Sequence, residues 1–313
     1  MIELIYGDNM KRIITIIICI GMLVATFLYL TKISNKLANY FNNTPKVSKI
    51  EKNQYAKEKD YSYVQITDNF IPYNYQELLN VFYTILDSGC TNFTFYCPNE
   101  YTDCIKDVEY ISNPENVITL TNIGNFVSPY NNFSSLKVKY DSVGEVNVEV
   151  KRLYNKEEIV KISNKVDAIW KEIITEGMDN LDIIYAFHDY IINHTKYDQE
   201  FDETRDDNKH DSARAYGLLF EGIAICSGYT DTMAILLNKL GIDNFKVASD
   251  NHVWNAFYYD NQWWHLDLTW DDPVTKSGID RLEHTFFKID TPTLEGFEID
   301  NHNYDKSVYI ELK

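Results

Sequence analysis

Cysteine, histidine and a carboxylate are the side chains from which thiol acyl chemistry is assembled, and Cys226, His252 and Asp267 occur in that order along the chain. Gly222-Ile223-Ala224-Ile225-Cys226-Ser227-Gly228-Tyr229 leads into a run in which Tyr229, Met233, Leu236, Leu237 and Leu240 share one helical face, with Gly241 as its stop. The pattern predicts that Cys226 stands at the N-terminus of that helix. Unpaired backbone N–H groups and the positive end of the helix dipole there favour a thiolate and can hold a developing oxyanion. A buried structural cysteine at a helix start is the competing reading, and the cysteine by itself does not separate the two.

The stretch from Asn251 to Trp270 has the aromatic-rich alternation of a β-hairpin around Asp260-Asn261. A two-residue turn there sets Tyr259 opposite Gln262, Trp254 opposite Asp267 and His252 opposite Thr269. His252 and Asp267 then project from one face as diagonal neighbours within hydrogen-bond reach. Val253, Phe257, Trp264, Leu266 and Leu268 form the opposite face, expected to pack inward while the polar pair lines a cleft with aromatic walls at Trp254, Tyr258 and Trp263. In this arrangement His252 takes the thiol proton of Cys226 and later protonates a leaving amine, while Asp267 holds the imidazole tautomer and stabilises its cation. His265 is the rival base, standing nearer the turn. The bland alternative has His252, His265 and Asp267 only satisfying one another's hydrogen bonds.

Ala215-Tyr216-Gly217, Ile225-Cys226-Ser227-Gly228-Tyr229, His252-Val253-Trp254-Asn255 and Trp264-His265-Leu266-Asp267-Leu268-Thr269-Trp270-Asp271-Asp272-Pro273 resemble the bacterial transglutaminase-like superfamily. The likeness runs from about Asp182 to Ile289. It implies a papain-like α+β core, with Cys226 as nucleophile, His252 as base and Asp267 as orienter. The region before it resembles, through less specific motifs, an N-terminal module that accompanies this core in some Gram-positive secreted proteins. The superfamily contains cross-linkers, peptidases and members that have lost activity, so the resemblance leaves the reaction open. Tyr216, upstream of the cysteine, is the candidate second donor to an oxyanion; an ordinary buried tyrosine is its alternative.

The elements that must carry these residues are those of a globular body. With 45% hydrophobic residues and a formal charge of −18, the 313-residue chain has ample core material. Its charge has the wrong sign for a protein that neutralises phosphates, which excludes nucleic acid as a partner class. No internal repeat is visible. The pattern predicts a small α+β module over 61–154, with a helix at 75–86, a strand at 92–96, short helices at 103–111 and 114–123, and a hairpin of strands 136–140 and 145–153. The transglutaminase-like domain follows over 155–313, opening with helices at 156–175 and 181–193. The acidic stretch 197–211 lacks EF-hand spacing and reads as a solvated loop placed to act as a lid.

At the other end, the uncharged run 13–30 would extend about 27 Å as a helix, enough to cross a bilayer. It lacks a small-x-small cleavage site and is expected to be an uncleaved anchor, with a cytoplasmic tail and span over 1–33, a polar stalk over 34–60 and the bulk outside the cytoplasm. None of the cysteines forms a CxxC pair, which removes the usual zinc-ribbon and thioredoxin-like readings. Cys97 and Cys104 can be joined in an exported protein; that Cys90, Cys97 and Cys104 are merely buried small hydrophobes is the alternative. Neither a metal nor a cofactor is expected. The expected function is thioester formation on Cys226 from a glutamine or peptide amide, with transfer to an amine or water. A cysteine peptidase acting on surface or cell-wall peptides is the runner-up, and a catalytically silent binding or assembly module the competitor from another class.

Overall fold

The computed structural model describes residues 17–34, 49–204, 209–273 and 281–313. It divides into two compact units, Met1–Val47 and Ser48–Lys313. In the first, helix α1 (Ile17–Ser34) has a mean hydropathy of 1.9 and none of it is buried against protein. It is the one helix among the described residues long and apolar enough to cross a membrane. The start of the expected span, residues 13–16, and most of the expected stalk, residues 35–48, lie outside the described residues.

The second unit opens on residues expected to belong to the stalk, and these lie along its surface and core instead. Ile50 is buried, the backbone N–H groups of Lys57 and Glu58 donate to Asp87, and the ammonium of Lys57 donates to the Asn244 carbonyl at 2.6 Å. The lysine-rich composition hides these tethers, because one half-buried, tethered lysine looks like its solvated neighbours in sequence. Helix α2 (Tyr75–Ser88) is capped by Asn74, whose side chain accepts from Glu77 N–H, and ends at Gly89 in the left-handed conformation. Strand β1 (Asn92–Tyr96) and helices α3 (Cys104–Ser112) and α4 (Ile118–Asn125) follow, then β2 (Phe133–Tyr140) and β3 (Glu145–Arg152). These strands form an antiparallel sheet in the order β1-β3-β2. Cys97 and Cys104 are joined as a disulfide.

Helix α5 (Lys156–Ile173) begins with a full capping box between Asn155 and Glu158, and α6 (Asn180–His194) with one between Asp179 and Asp182. The chain continues through β4 (Lys196–Tyr197), α7 (Gln199–Thr204), β5 (Ile223–Ala224), α8 (Cys226–Lys239), β6 (Asn244–Ala248), β7 (Val253–Tyr259), β8 (Gln262–Leu266), α9 (Leu268–Asp271), β9 (Phe287–Ile289) and α10 (Thr291–Gly296). Strands β6 to β9 form an antiparallel sheet in sequence order, while β4 and β5 make a short parallel pair. Part of the acidic stretch, 205–208, lies outside the described residues. The first of its aspartates, Asp198, is buried and accepts from Phe201 N–H and the Ser212 hydroxyl, so this end is a fastened turn rather than a solvated one.

Both faces of the β6–β9 sheet are covered. Phe245, Val247, Trp254 and Ala256 join a core with α2, α4, β1 and β3, whereas Phe257 and Leu266 join a second core with α5, α6 and α8. The expectation of one inward face and one cleft face is therefore corrected. Residues from the elements before α5 and from the C-terminal segment fill the side expected to be open.

Candidate active site

Cys226 is the first residue of α8, as its sequence context predicts. The residue before it, Ile225, caps the helix with no side chain, and its carbonyl accepts from the N–H groups of Gly228 at 2.9 Å and Tyr229 at 3.3 Å. Gly228 lets this turn approach its surroundings: a Cβ there would sit 2.6 Å from the Ser212 carbonyl oxygen and 3.0 Å from Ala224 Cβ. The Ser227 hydroxyl donates to the Ala213 carbonyl at 2.8 Å. One turn on, the Thr230 hydroxyl is 2.8 Å from the Cys226 carbonyl and 2.9 Å from that of Val253, which ties the head of α8 to the strand beside His252. Asn255 adds a bond from its amide to the Thr230 carbonyl.

The hairpin turns at Asp260-Asn261, both with positive φ, and its register sets Tyr259 against Gln262 and Asn255 against Leu266. β8 ends one residue before Asp267, which caps α9 by accepting from the amides of Thr269 and Trp270 through Oδ1. Its other oxygen, Oδ2, lies 2.6 Å from His252 Nε2 and 2.9 Å from His302 Nε2. The Tyr229 hydroxyl donates to Asp272 at 2.5 Å, so α8 also grips the segment just beyond the carboxylate.

The Cys226 side chain lies close enough to His252 to act on its imidazole, in addition to the Asp267 contact. With Nε2 committed to Asp267, Nδ1 is the nitrogen available to the thiol. Burial lowers the pKa of His252, but the Asp267 charge and hydrogen bond, followed by those of Cys226, outweigh it and raise the value to about 10. Burial likewise opposes ionisation of Asp267, yet the His252 charge and the bonds from His252 and His302 hold it below the usual carboxylate range. Trp254 lies stacked beneath His252, with centroids 5.6 Å apart and planes at 16°, a face on which an imidazolium is stabilised. His252 and Asp267 are buried while Cys226 is half-exposed, so the sulfur can meet a substrate while its partners stay shielded from water.

Residues 167–268, which span all three groups, match the family model of the transglutaminase-like superfamily. The chain carries a transglutaminase-like domain. Among solved structures it is similar to a TGase, with 19% identity over 46% of this chain and 46% of that one and a TM-score of 0.34. It is also similar to a protein described as a "putative cysteine protease" from Cytophaga hutchinsonii, with 14% identity over 48% of this chain and 65% of that one and a TM-score of 0.28. The chain thus spans under half the length of the first and just under two thirds of the second. No curated protein matches it.

Of the other residues predicted for the site, Trp254 stays beside His252 and the rest fall away from it. Trp254 is 1% exposed and forms a floor under His252 rather than a cleft wall. Tyr258 and Trp263 pair with each other near the turn, about 20 Å along the strand from His252, and Trp263 packs on Phe245. Tyr216 packs on Phe220 at 4.6 Å, and no hydrogen bond or ring contact among the described residues brings it to the sulfur. His265, the rival base, is buried and engaged on both sides: Nδ1 accepts from Trp254 Nε1 at 3.0 Å, and Nε2 lies 3.0 Å from the Thr291 hydroxyl. Burial first, and His302 second, lower its pKa to about 3, so it stays neutral. A cleft of about 420 Å³ between residues 54–61 and helices α5 and α8 is lined by none of the three groups.

His302 escaped the sequence reading. It sits in a short 3-10 turn at Asp300–His302, held against the turn before β7 by the Ser249 hydroxyl donating to the Asn301 carbonyl at 2.7 Å. Its ring packs edge-on against Trp254 at 5.0 Å, and its buried Nδ1 has no hydrogen-bond partner among the described residues. No motif surrounds it, and only the folded chain brings it to Asp267.

Proposed function

We propose that the protein is a membrane-anchored thiol acyltransferase that forms a thioester on Cys226 from a glutamine side-chain amide or a peptide amide. The observation that carries this reading is His252, hydrogen-bonded to Asp267 at 2.6 Å and close enough to the Cys226 side chain for that side chain to act on its imidazole. His252 accepts the thiol proton, and Sγ attacks the amide carbonyl carbon. The tetrahedral oxyanion is taken by the Cys226 N–H at the head of α8, where no side chain caps the helix. As the C–N bond breaks, the imidazolium returns the proton to nitrogen, and ammonia or an amine departs. A lysine amine, or water, then attacks the thioester while His252 takes its proton, and the thiolate leaves and is reprotonated. Asp267 and its partner His302 keep the imidazole oriented throughout and stabilise its positive form.

The amine acceptor is the favoured reading because Trp254, Trp270 and His302 surround His252 with rings and leave little room for water at the base. The apolar, unburied α1 supports membrane anchoring, and the disulfide between Cys97 and Cys104 supports an extracellular body. The full-length protein in detergent, incubated with a glutamine-rich protein and a fluorescent primary amine, is expected to incorporate the amine, and Cys226→Ala to lose this by about a thousandfold or more. Fragment formation without incorporation would favour a peptidase. Neither product, with Cys226 alkylated no faster than a small free thiol, would favour a binding module.

A further inference from the structure

We propose that His188, Asp189 and His284 form a binding site for a divalent transition-metal ion of the zinc class, separate from the cysteine site. One ligand atom from each lies within 4.8 Å of the other two. Asp189 Oδ1 stands 2.9 Å from His188 Nδ1 and 2.7 Å from His284 Nε2, so two imidazole nitrogens converge on one carboxylate oxygen. Bonds of about 2.0–2.1 Å to a tetrahedral ion would place such atoms about 3.3 Å apart, so the carboxylate oxygen would draw back from each nitrogen by about half an ångström. Two imidazoles and a carboxylate are the donor set that zinc accepts, with a fourth position left for water.

A second observation assigns the ligating nitrogen. The far side of the His188 ring, Nε2, lies 3.1 Å from Oδ2 of Asp271, and both side chains are fully buried. A buried carboxylate behind a histidine takes the N–H of one ring nitrogen and directs the lone pair of the other at the metal. His284 is oriented differently, by stacking on Tyr185 with centroids 4.5 Å apart and planes at 8°. Its side chain is 31% exposed and that of Asp189 32%, which leaves an entry path. The ligands come from α6 and from the segment before β9, so the sequence contains no metal-ligand spacing to read.

The ion would brace the nearby Asp267. Phe286 donates its N–H to Asp271 Oδ1 at 2.8 Å and accepts from the Asp267 N–H at 3.1 Å, so the segment carrying His284 also holds the backbone of that carboxylate.

The test is a titration of the full-length Cys226→Ala protein in detergent with Co²⁺, which reads binding without activity and removes the competing thiol. Saturable uptake of one equivalent, with visible d–d bands displaced by Zn²⁺, is expected. His284→Ala and Asp189→Asn added to that background should each abolish saturable binding while leaving the metal-free melting temperature unchanged. No saturable binding in Cys226→Ala would overturn the proposal, as would undiminished binding after His284→Ala, which would place the ion at His252, Asp267 and His302 instead.

Discussion

Asp267 accepts four hydrogen bonds, two on each oxygen, and two of the donors are imidazoles. A carboxylate so fully engaged stays ionised in a buried place, and this raises the basicity of His252. Asp267→Asn is therefore expected to reduce kcat by about 10³ to 10⁴-fold through loss of the correct tautomer. The signs for stability follow from the same values. The His252 pKa rises from 6.5 to about 10, so the stability it contributes is complete below pH 6.5 and is lost as pH climbs toward 10. Chemical denaturation of wild type and His252→Gln across this range should show a gap that narrows by at most about 1.4 kcal/mol per pH unit. His265 is displaced the other way, to about 3, so its buried neutral ring costs stability as pH falls below 6.5. His265→Gln should flatten that acid arm in the same measurement. The placement of Cys226 at a helix start and of His252 beside Asp267 was legible because a helix-start pattern and a hairpin with a two-residue turn each fix backbone position locally. His302 was not, since its place depends on a C-terminal segment folding back across the sheet.

At the scale of elements, the site depends on how closely α8 nests against the chain before it. Gly228→Ala would bring a Cβ against the Ser212 carbonyl and push the first turn of α8 outward. An ångström of displacement at Cys226 is expected to cost about a hundredfold in kcat/KM. A melting temperature lowered in proportion to activity would instead indicate general unfolding. In the N-terminal module, Arg152 aims its guanidinium at the carbonyls of Ile85, Leu86, Cys90 and Asn131, closing the C-terminal end of α2. Arg152→Met should destabilise the protein by about 3 kcal/mol, read by urea denaturation, because these carbonyls lose a charged donor. Element positions were the most legible feature. The strand predicted at 92–96 is β1 to the residue, and α5 and α6 begin within one residue of expectation because capping boxes mark their starts. Misjudgement of the hairpin face had a definite cause. Alternation reveals that a strand has two kinds of face, but not that a distant module covers the second one.

Within the compact unit Ser48–Lys313, the sheet of β6 to β9 is shared by both cores, so the elements before α5 and those after it are built on a common wall. Lys246 on β6 makes an ion pair with Asp231 on α8 at 2.8 Å, and Asp231 also accepts from the Tyr154 hydroxyl, which in turn accepts from the Ala215 amide. Lys246→Met would leave the buried carboxylate without its cation and is expected to cost about 3–5 kcal/mol, with urea denaturation as the check. The double variant Lys246→Met, Asp231→Leu should recover much of this loss.

The central claim is that Cys226 becomes acylated. Intact-mass and peptide-mapping analysis of the full-length protein, quenched in acid during turnover of a glutamine peptide, tests it most directly. An adduct equal to the peptide less one ammonia, confined to Cys226 and absent from Cys226→Ala and His252→Ala, is the predicted result. An adduct carried by Cys90, or one that persists in Cys226→Ala, would contradict the account.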